Sequence, residues 1–368
     1  MTLRTTPETS RHDRSDADAA VRHVAGGLTE RISQRISQRV SGRMAEVNPL
    51  RRLPVEPRDR LEGTWRQARP ARIRRAFEVA QGRDPGGWHV VGASSELRPT
   101  RSVTRTVGGR EVVLWRGEDG RALAGPGACP HLGALLEDCE VMHGKVYCRW
   151  HGLALGEGTR KDWLTYPAHD DGVLLWVRLP TEGETPTEAP TITRRPPVDA
   201  SFATVIAERG TCEPADVIAN RLDPWHGTWY HPYAFSHLTV DDSASSDEVL
   251  TVDVAFRVSR TWGVPVRAEF ACPDARTIVM TIVDGEGTGS VVETHATFVG
   301  PDAQGRPVTI MTEATIAHSE RKGFRVARAL AGVIRPAVAS TARQLWVDDM
   351  AYAERRWLLR SRGETYGA

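Results

Sequence analysis

The sequence predicts an α+β protein in which a small all-β domain precedes a curved antiparallel sheet wrapped around a long helix. Three observations predict this class. Short strand-like runs separated by glycine turns fill residues 88–179, further strand-like runs fill 249–317, and helical periodicity fills 320–360. Strands followed by one long terminal helix are typical of α+β domains.

Length and composition indicate a globular protein of two domains with extra segments, because 368 residues exceed one compact core. Hydrophobic residues make up 40% and charged residues 26%. The net charge of +1 gives no basic field, so we expect no nucleic-acid partner. The chain has no apolar run of about 18 residues and no apolar leader, which predicts a cytoplasmic protein without a membrane span.

Residues 1–85 form an N-terminal extension whose first ~20 residues are polar and predicted to be disordered. A helix follows in which arginines recur every four residues beside an apolar stripe, namely Arg31, Arg35, Arg39, Arg43, Ile32, Ile36, Val40 and Met44. Two interpretations remain open. The helix contacts a membrane surface or a partner, or it is solvated and lies on its own protein.

The first domain spans residues 86–180, where strand-like runs on both sides of Gly108-Gly109 predict a hairpin. A linker rich in Pro, Thr and Glu covers 181–198. The second domain spans 199–368, with a helical stretch near 215–229, strands around 249–258, 264–271, 277–283, 290–299 and 307–317, and a helix over 320–360. Pro336 is expected to interrupt that helix.

Two short motifs in the first domain carry metal-binding residue types: Cys129-Pro-His131 and Cys148-Arg-Trp-His151. Two thiolates and two neutral imidazoles are the ligands of a mixed-ligand [2Fe–2S] cluster, whose reduction potential exceeds that of an all-cysteine cluster. A Cys2His2 zinc site uses the same residue types at a different spacing. Cys139 lies between the motifs and is interpreted as a small structural residue.

A second set of metal-binding residues lies in the box Asn220-x-x-Asp223-x-x-His226-x4-His231. Two histidines and one carboxylate leave open positions on Fe(II). Spacings of three place Asn220, Asp223 and His226 on one helical face, whereas the step of five to His231 requires the helix to end or bulge. The carboxylate ligand must come from elsewhere.

The Asp348-Asp349 pair on the terminal helix offers that carboxylate. Asp223 precedes Pro224, so it could also simply cap a helix, and Asn220 could be an ordinary helical polar residue.

The segments CPHLGA and CRWHG, with the second box, resemble the oxygenase (alpha) component of Rieske non-haem iron oxygenases. The motifs are most similar to the vanillate and dicamba demethylase and ketosteroid hydroxylase type. The resemblance implies a Rieske domain, a helix-grip catalytic domain, a [2Fe–2S] cluster and one Fe(II) per chain. It favours Asp349 over Asp348, because Glu354 follows Asp349 at the family's offset of five. It also implies that Asp223 bridges a cluster histidine and an iron-ligand histidine, and that Asn220 belongs to the active site.

The resemblance further implies a homotrimer that takes electrons from a ferredoxin or ferredoxin reductase, where NAD(P)H is oxidised. The cluster of one subunit would serve the iron of its neighbour. The reaction would be a monooxygenase or dioxygenase reaction: hydroxylation, demethylation or desaturation with O2. The amphipathic extension and apolar terminal helix favour a lipophilic ring substrate such as a steroid, carotenoid or other isoprenoid, with an aromatic acid or its methyl ether as the alternative. A second hypothesis is a Rieske-type electron-transfer protein with a ligand-binding second domain.

Overall fold

The computed structural model describes residues 50–53, 57–158, 160–364 and 366. The predicted disordered start and the basic–apolar helix of the extension lie outside these residues. In the described part the helices are α1 Pro70–Gln81, α2 Pro214–Arg221, α3 His226–Tyr230, α4 Lys322–Ala329 and α5 Ala331–Ser361.

The strands of the first domain and its approach are β1 Arg51–Arg52, β2 Trp88–Ala93, β3 Val103–Val107, β4 Arg110–Arg116, β5 Ala122–Pro126, β6 Glu140–Met142, β7 Lys145–Tyr147, β8 Ala154–Leu155, β9 Ala168–Asp170 and β10 Leu174–Arg178. Strands β2 to β10 form three antiparallel sheets in the orders β2-β10-β9, β3-β4-β5 and β6-β7-β8. Buried side chains such as Trp115, Leu136 and Leu155 form the core between them. The all-β prediction for this domain is confirmed.

The second domain contains β11 Ser201–Gly210, β12 Phe235–Val240, β13 Val249–Arg257, β14 Trp262–Asp274, β15 Thr277–Gly285, β16 Val291–Pro301 and β17 Pro307–His318. They form one antiparallel sheet in the order β11-β17-β16-β15-β14-β13-β12, and β1 pairs with β14. Helix α5 packs on its inner face, where Trp346 and Met350 meet Met311 and Ile218 in the core. The helix-grip prediction is confirmed.

The predicted helix over 215–229 is in fact two helices, α2 and α3, separated by residues 222–225. The prediction that Asn220, Asp223 and His226 share one helical face is therefore wrong. Pro224 explains the break, because it disfavours the helical conformation at Asp223. Helix α3 ends at Tyr230, and His231 follows with non-helical angles (φ −117°, ψ 55°), as the step of five between the two histidines required.

Helix α5 continues through Pro336, so the expected interruption there is wrong. The helical run breaks at Leu330 instead, between α4 and α5. Pro336 and the residue four positions earlier, Gly332, are both exposed. Water can therefore bond the carbonyl that the proline leaves without a partner.

The end of the N-terminal extension belongs to the core of the second domain. Helix α1 begins with Pro70, which suits a first helical position because its missing N–H would have no partner there. Its buried face carries Ala76 and Ala80, which lie in the same apolar cluster as Ile218 and Leu222. The sequence reading of 1–85 did not predict this contact.

Main-chain hydrogen bonds connect the two domains directly. The Gly108-Gly109 turn between β3 and β4 lies against a bulge of β16, where the Gly108 and Gly109 N–H groups donate to the carbonyls of Phe298 (2.8 Å) and Val299 (2.6 Å). Gly300 has φ +138°, and a Cβ there would lie 3.0 Å from the Cα of Gly109. A side chain at position 300 is therefore excluded from this contact.

A buried ionic network also ties the segment between the domains to both of them. Residues 179–197 contain no helix or strand. Arg195 in this segment forms ion pairs with Asp171 of the first domain (2.8 Å) and Glu293 on β16 (2.6 Å). Asp171 also accepts a hydrogen bond from the Trp176 indole (2.7 Å). The side chains of Asp171 and Glu293 are buried and that of Arg195 is 11% exposed, so each depends on the others for compensation of its charge.

Candidate functional site

The two motifs of the first domain form a pair of loops with matching backbone geometry. The N–H of Gly133 donates to the carbonyl of Cys129 (2.8 Å), and the N–H of Gly152 donates to the carbonyl of Cys148 (2.8 Å). Both glycines are left-handed, with φ of +75° and +69°. Only glycine adopts this conformation without strain, so each loop can turn back over its cysteine.

The side chains of these loops match the donors of a mixed-ligand cluster. Cys129 and Cys148 are buried in the domain core, whereas His131 and His151 are exposed at its tip with ring centroids 4.9 Å apart. Burial raises the pKa of the Cys129 thiol, so a thiolate there needs a cation such as iron for compensation. The residues therefore fit a [2Fe–2S] cluster held by two buried sulfurs and two exposed imidazoles. Cys139 is buried in the same core, and its backbone N–H donates a hydrogen bond to Ser102 Oγ (2.9 Å).

In the second domain, His226, His231 and Asp349 bring one ligand atom each to within 4.8 Å of one another. The Nε2 atoms of His226 and His231 lie 3.1 and 2.8 Å from the same carboxylate oxygen, Oδ1 of Asp349. The histidines come from the ends of α3, and the aspartate comes from the buried face of α5. This is the donor set of a two-histidine, one-carboxylate Fe(II) site.

Asn220 completes the inner side of this group. Its Nδ2 donates to Asp349 Oδ1 (3.2 Å), and its own Oδ1 is buried without a hydrogen-bond partner among the described residues. Burial alone would raise the pKa of Asp349, but the two imidazoles hold it well below the usual range. For His226 the directions are reversed: burial alone would lower the pKa of the imidazole, but the Asp349 carboxylate raises it. A cation between these groups would replace the shared protons.

Asp348 lies outside the group of three. Its side chain is partly exposed and accepts a hydrogen bond from the Tyr233 hydroxyl (2.7 Å), which lies 3.2 Å from His231 Nδ1. Asp348 thus supports the outer nitrogen of His231, while Asp349 faces the inner one. Glu354, whose offset favoured Asp349 in the sequence, accepts a hydrogen bond from the backbone N–H of Thr211 (2.7 Å).

Asp223 lies at the break between α2 and α3. Its backbone carbonyl, rather than its carboxylate, accepts the hydrogen bond from His226 Nδ1, and the carboxylate is 3.9 Å from that nitrogen. Oδ2 is 3.5 Å from the Tyr352 hydroxyl, whereas the buried Oδ1 has no hydrogen-bond partner among the described residues. Burial raises the pKa of this carboxyl group. Trp225, not Asp223, precedes the first residue of α3, so Asp223 is not its N-cap.

The sequence reading missed a charged pair in the apolar interior beside this group. Glu313 on β17 accepts a hydrogen bond from the Trp346 indole (2.7 Å) and lies 4.0 Å from Arg221 of α2. The Arg221 guanidinium lies 5.8 and 5.7 Å from the rings of Phe270 and Trp346. Burial raises the pKa of Glu313. These residues are far apart in the chain, and no motif marks them.

Comparisons with known proteins cover both domains that carry these two sites. Residues 87–173 match the family model described as Rieske [2Fe-2S] domain, and residues 181–364, half of the chain, match the model described as Domain of unknown function (DUF5914). Aminopyrrolnitrin oxygenase PrnD of Pseudomonas fluorescens is 32% identical over 100 residues, which is 27% of each chain. The vanillate O-demethylase oxygenase subunit of Pseudomonas sp. (strain HR199 / DSM 7063) is 35% identical over 69 residues, 19% of each chain.

The chain therefore spans about a quarter or less of the length of these curated relatives. Solved structures match over more of it. Dicamba monooxygenase bound to dicamba has a TM-score of 0.52 at 16% identity, covering 76% of this chain and 89% of that one. A 2-oxoquinoline 8-monooxygenase component has a TM-score of 0.50 at 13% identity, covering 79% and 82%. These likenesses show the fold.

A Rieske domain joined to a helix-grip domain that carries two histidines and one carboxylate is the arrangement expected of the oxygenase component of a Rieske non-haem iron oxygenase. The residues of the first domain would hold a [2Fe–2S] cluster, and those of the second would hold one mononuclear iron. The chain belongs to the family described as Domain of unknown function (DUF5914). No helix in the part of the chain that the structure describes combines the length and apolar character that crossing a membrane requires.

Proposed function

We propose that the protein is a terminal oxygenase that uses O2 and externally supplied electrons to hydroxylate, demethylate or desaturate a ring substrate. The observation that carries the proposal is the convergence of His226, His231 and Asp349 in the interior of the second domain. When bound, iron at this group supplies O2 activation, and the cluster supplies single electrons to it. An electron carrier has no need of the second metal group.

The residues of the chain have distinct roles in this proposal. Asp349 and the two imidazoles would hold the metal with three protein ligands, which leaves coordination positions for O2. Asn220 fixes the carboxylate by its hydrogen bond to Oδ1, and Tyr233 holds the outer nitrogen of His231. His231 is 1% exposed, so water reaches this side of the group poorly and the charges interact strongly.

The proposed route for electrons runs between subunits of a homotrimer. Among the described residues no cluster histidine contacts Asp223, and none of them forms a hydrogen bond with its Oδ1. His131 and His151 are exposed at the tip of the first domain, beside Leu132 (64% exposed) and Trp150 (57% exposed). A cluster histidine of a neighbouring subunit would satisfy Asp223, and the apolar rim would be covered by that neighbour or by a ferredoxin or ferredoxin reductase.

The proposed substrate is a lipophilic ring compound of the steroid, carotenoid or isoprenoid kind. The inner face of the sheet supports this class because it is largely apolar, with Val252, Phe270 and Met280 among its buried side chains. The Arg221–Glu313 pair is a polar exception, and an aromatic acid would be the alternative.

Iron content and isotope incorporation test the proposed reaction. The protein should bind about three iron atoms per chain, two in the cluster and one mononuclear. With NADH, a ferredoxin and its reductase, and ¹⁸O2, candidate substrates should yield hydroxylated products carrying ¹⁸O, or formaldehyde when a methyl ether is cleaved. His226→Ala should lose turnover and keep the cluster absorbance. Two iron atoms per chain in the wild-type protein would refute the oxygenase and support an electron carrier.

A further inference from the structure

Helix α4 and the first turns of α5 carry an apolar stripe on the side that faces away from the protein. Val326, Leu330 and Val333 are 61%, 53% and 76% exposed. Their spacings of four and three place them on one helical face. The two helices are almost continuous here, because the N–H groups of Leu330 and Ile334 donate to the carbonyls of Val326 (3.0 Å) and Leu330 (3.1 Å).

The opposite side of this segment is already occupied. The Phe324 ring stacks on Phe202 of β11 with centroids 5.7 Å apart and planes 21° apart, and Ala331 is buried. The exposed stripe is therefore a second apolar face, in addition to the one that attaches the helix to the sheet. Exposed apolar clusters of this kind mark interaction surfaces.

The charge around the stripe has one sign. The sequence has no Asp or Glu from Arg321 to Val347 and has six basic residues there: Arg321, Lys322, Arg325, Arg328, Arg335 and Arg343. Arg321 pairs with Glu286 and Arg343 lies 3.4 Å from Glu208. Among the described residues no ion pair is seen for Arg325, Arg328 or Arg335, and all three are exposed.

We propose that this surface, the α4–α5 stripe, docks the protein on an anionic lipid membrane. Apolar side chains flanked by arginines are what an interfacial helix presents to headgroups and acyl chains. The basic helix predicted at residues 31–44 is not expected to cover this surface, because both segments are cationic and repel each other. The inference does not depend on the oxygenase reaction, because membrane binding is measured without turnover.

Vesicle sedimentation of the full-length holoprotein tests the inference. The protein should bind vesicles of phosphatidylcholine with phosphatidylglycerol, bind pure phosphatidylcholine weakly, and be released by salt. Replacing Arg325 and Arg328 by Gln should weaken binding roughly 25-fold, at about fivefold for each arginine. The triple variant Val326→Asp, Leu330→Asp and Val333→Asp should abolish it.

A matched control uses exposed apolar residues elsewhere on the protein. The triple variant Leu164→Asp, Val198→Asp and Val258→Asp makes the same change at positions that are 69%, 77% and 64% exposed, and it should bind vesicles like the wild type. Circular dichroism and iron content should be unchanged in both triple variants.

Four outcomes would overturn the inference. The first two are that the wild-type protein fails to bind anionic vesicles, and that both triple variants lose binding equally. The third is that the double variant Ile32→Asp and Ile36→Asp abolishes binding while the stripe variant retains it, which would assign membrane binding to the N-terminal extension. Finally, the stripe variant changes only the oligomeric state or only the binding of an acidic ferredoxin, which would make the stripe a protein interface.

Discussion

Asp348 and Asp349 are neighbours in the chain, but their carboxylates have different partners. Asp349 Oδ1 lies within 3.1 Å of both imidazoles, and Asp348 reaches His231 through the Tyr233 hydroxyl. We expect Asp349→Asn to reduce the iron content from about three to about two atoms per chain, because an amide oxygen is a weaker ligand than a carboxylate. Metal analysis together with the visible spectrum of the cluster measures this.

The matched control for this prediction is Asp348→Asn, which changes the adjacent carboxylate in the same way. It should retain close to three iron atoms and lose no more than part of the activity, since the residue acts through Tyr233. Equal loss of iron in both variants would argue against the assignment of Asp349 as the ligand.

Asp223 has a buried carboxylate oxygen without a hydrogen-bond partner among the described residues, next to the proposed iron ligand His226. Asp223→Asn should keep both metal centres and slow the oxidation of the cluster by O2 and substrate roughly 10- to 100-fold, as is usual for residues that support a ligand. Stopped-flow absorbance of the reduced cluster provides the rate. Loss of mononuclear iron in this variant would indicate a role in metal binding instead.

The sequence could predict those site residues that lie close together in the chain. The two cysteine–histidine motifs, His226 and His231 lie within short segments, and the structure brings both histidines to Asp349. Glu313 on β17 and Tyr352 on α5 could not be predicted, because they reach the site from elements that no motif marks. Tyr233 lies only two residues after His231, but nothing in the sequence marks it as the partner of that imidazole. Only the fold decides which of many similar side chains point inward.

At the scale of elements, the segment between the domains is held by the Arg195 network. Arg195→Met leaves Asp171 and Glu293 buried without their common counterion, which should lower the free energy of unfolding by about 3–5 kcal/mol. Urea denaturation followed by tryptophan fluorescence measures the change. Arg160→Met, which breaks an exposed pair with Asp162 in the first domain, should change stability by less than about 1 kcal/mol.

The same network makes the free energy of unfolding depend on pH. Burial alone would raise the pKa of Glu293, but Arg195 and His295 lower it from 4.5 to about 2. The stabilisation is therefore fully present above about pH 4.5 and is lost as the pH falls towards about 2. The urea midpoint should decline over this range in the wild type and decline less in Glu293→Gln; identical curves would contradict the prediction.

The elements themselves were predicted unevenly. The five strands from β13 to β17 and the terminal helix follow from alternation and helical periodicity. Strands β11 and β12 were missed because each borders a helix whose periodicity dominates the local pattern. The position of the helix break at Leu330 rather than Pro336 depends on solvent exposure of one carbonyl, which the sequence does not contain.

At the scale of the whole molecule, the proposed trimer predicts that two inactive chains can restore activity together. Cys148→Ser removes a cluster ligand and His226→Ala removes an iron ligand. Coexpressed in one assembly, they should regain part of the wild-type turnover, because a subunit with an intact cluster can serve the iron of its neighbour. Mixing the separately purified trimers should not restore it. Failure of the coexpressed protein, with both chains present in the trimer, would place the electron route within one chain.

The glycine contact between the domains has a consequence for modular exchange. Because the Gly108-Gly109 turn is attached to β16 through peptide groups, its attachment is indifferent to most side chains on either surface. A Rieske module from a different protein could therefore be grafted onto the second domain in the native orientation, provided that the graft preserves the paired glycines opposite Gly300 and the Asp171 partner of Arg195. Redox properties could then be changed independently of the substrate-binding half.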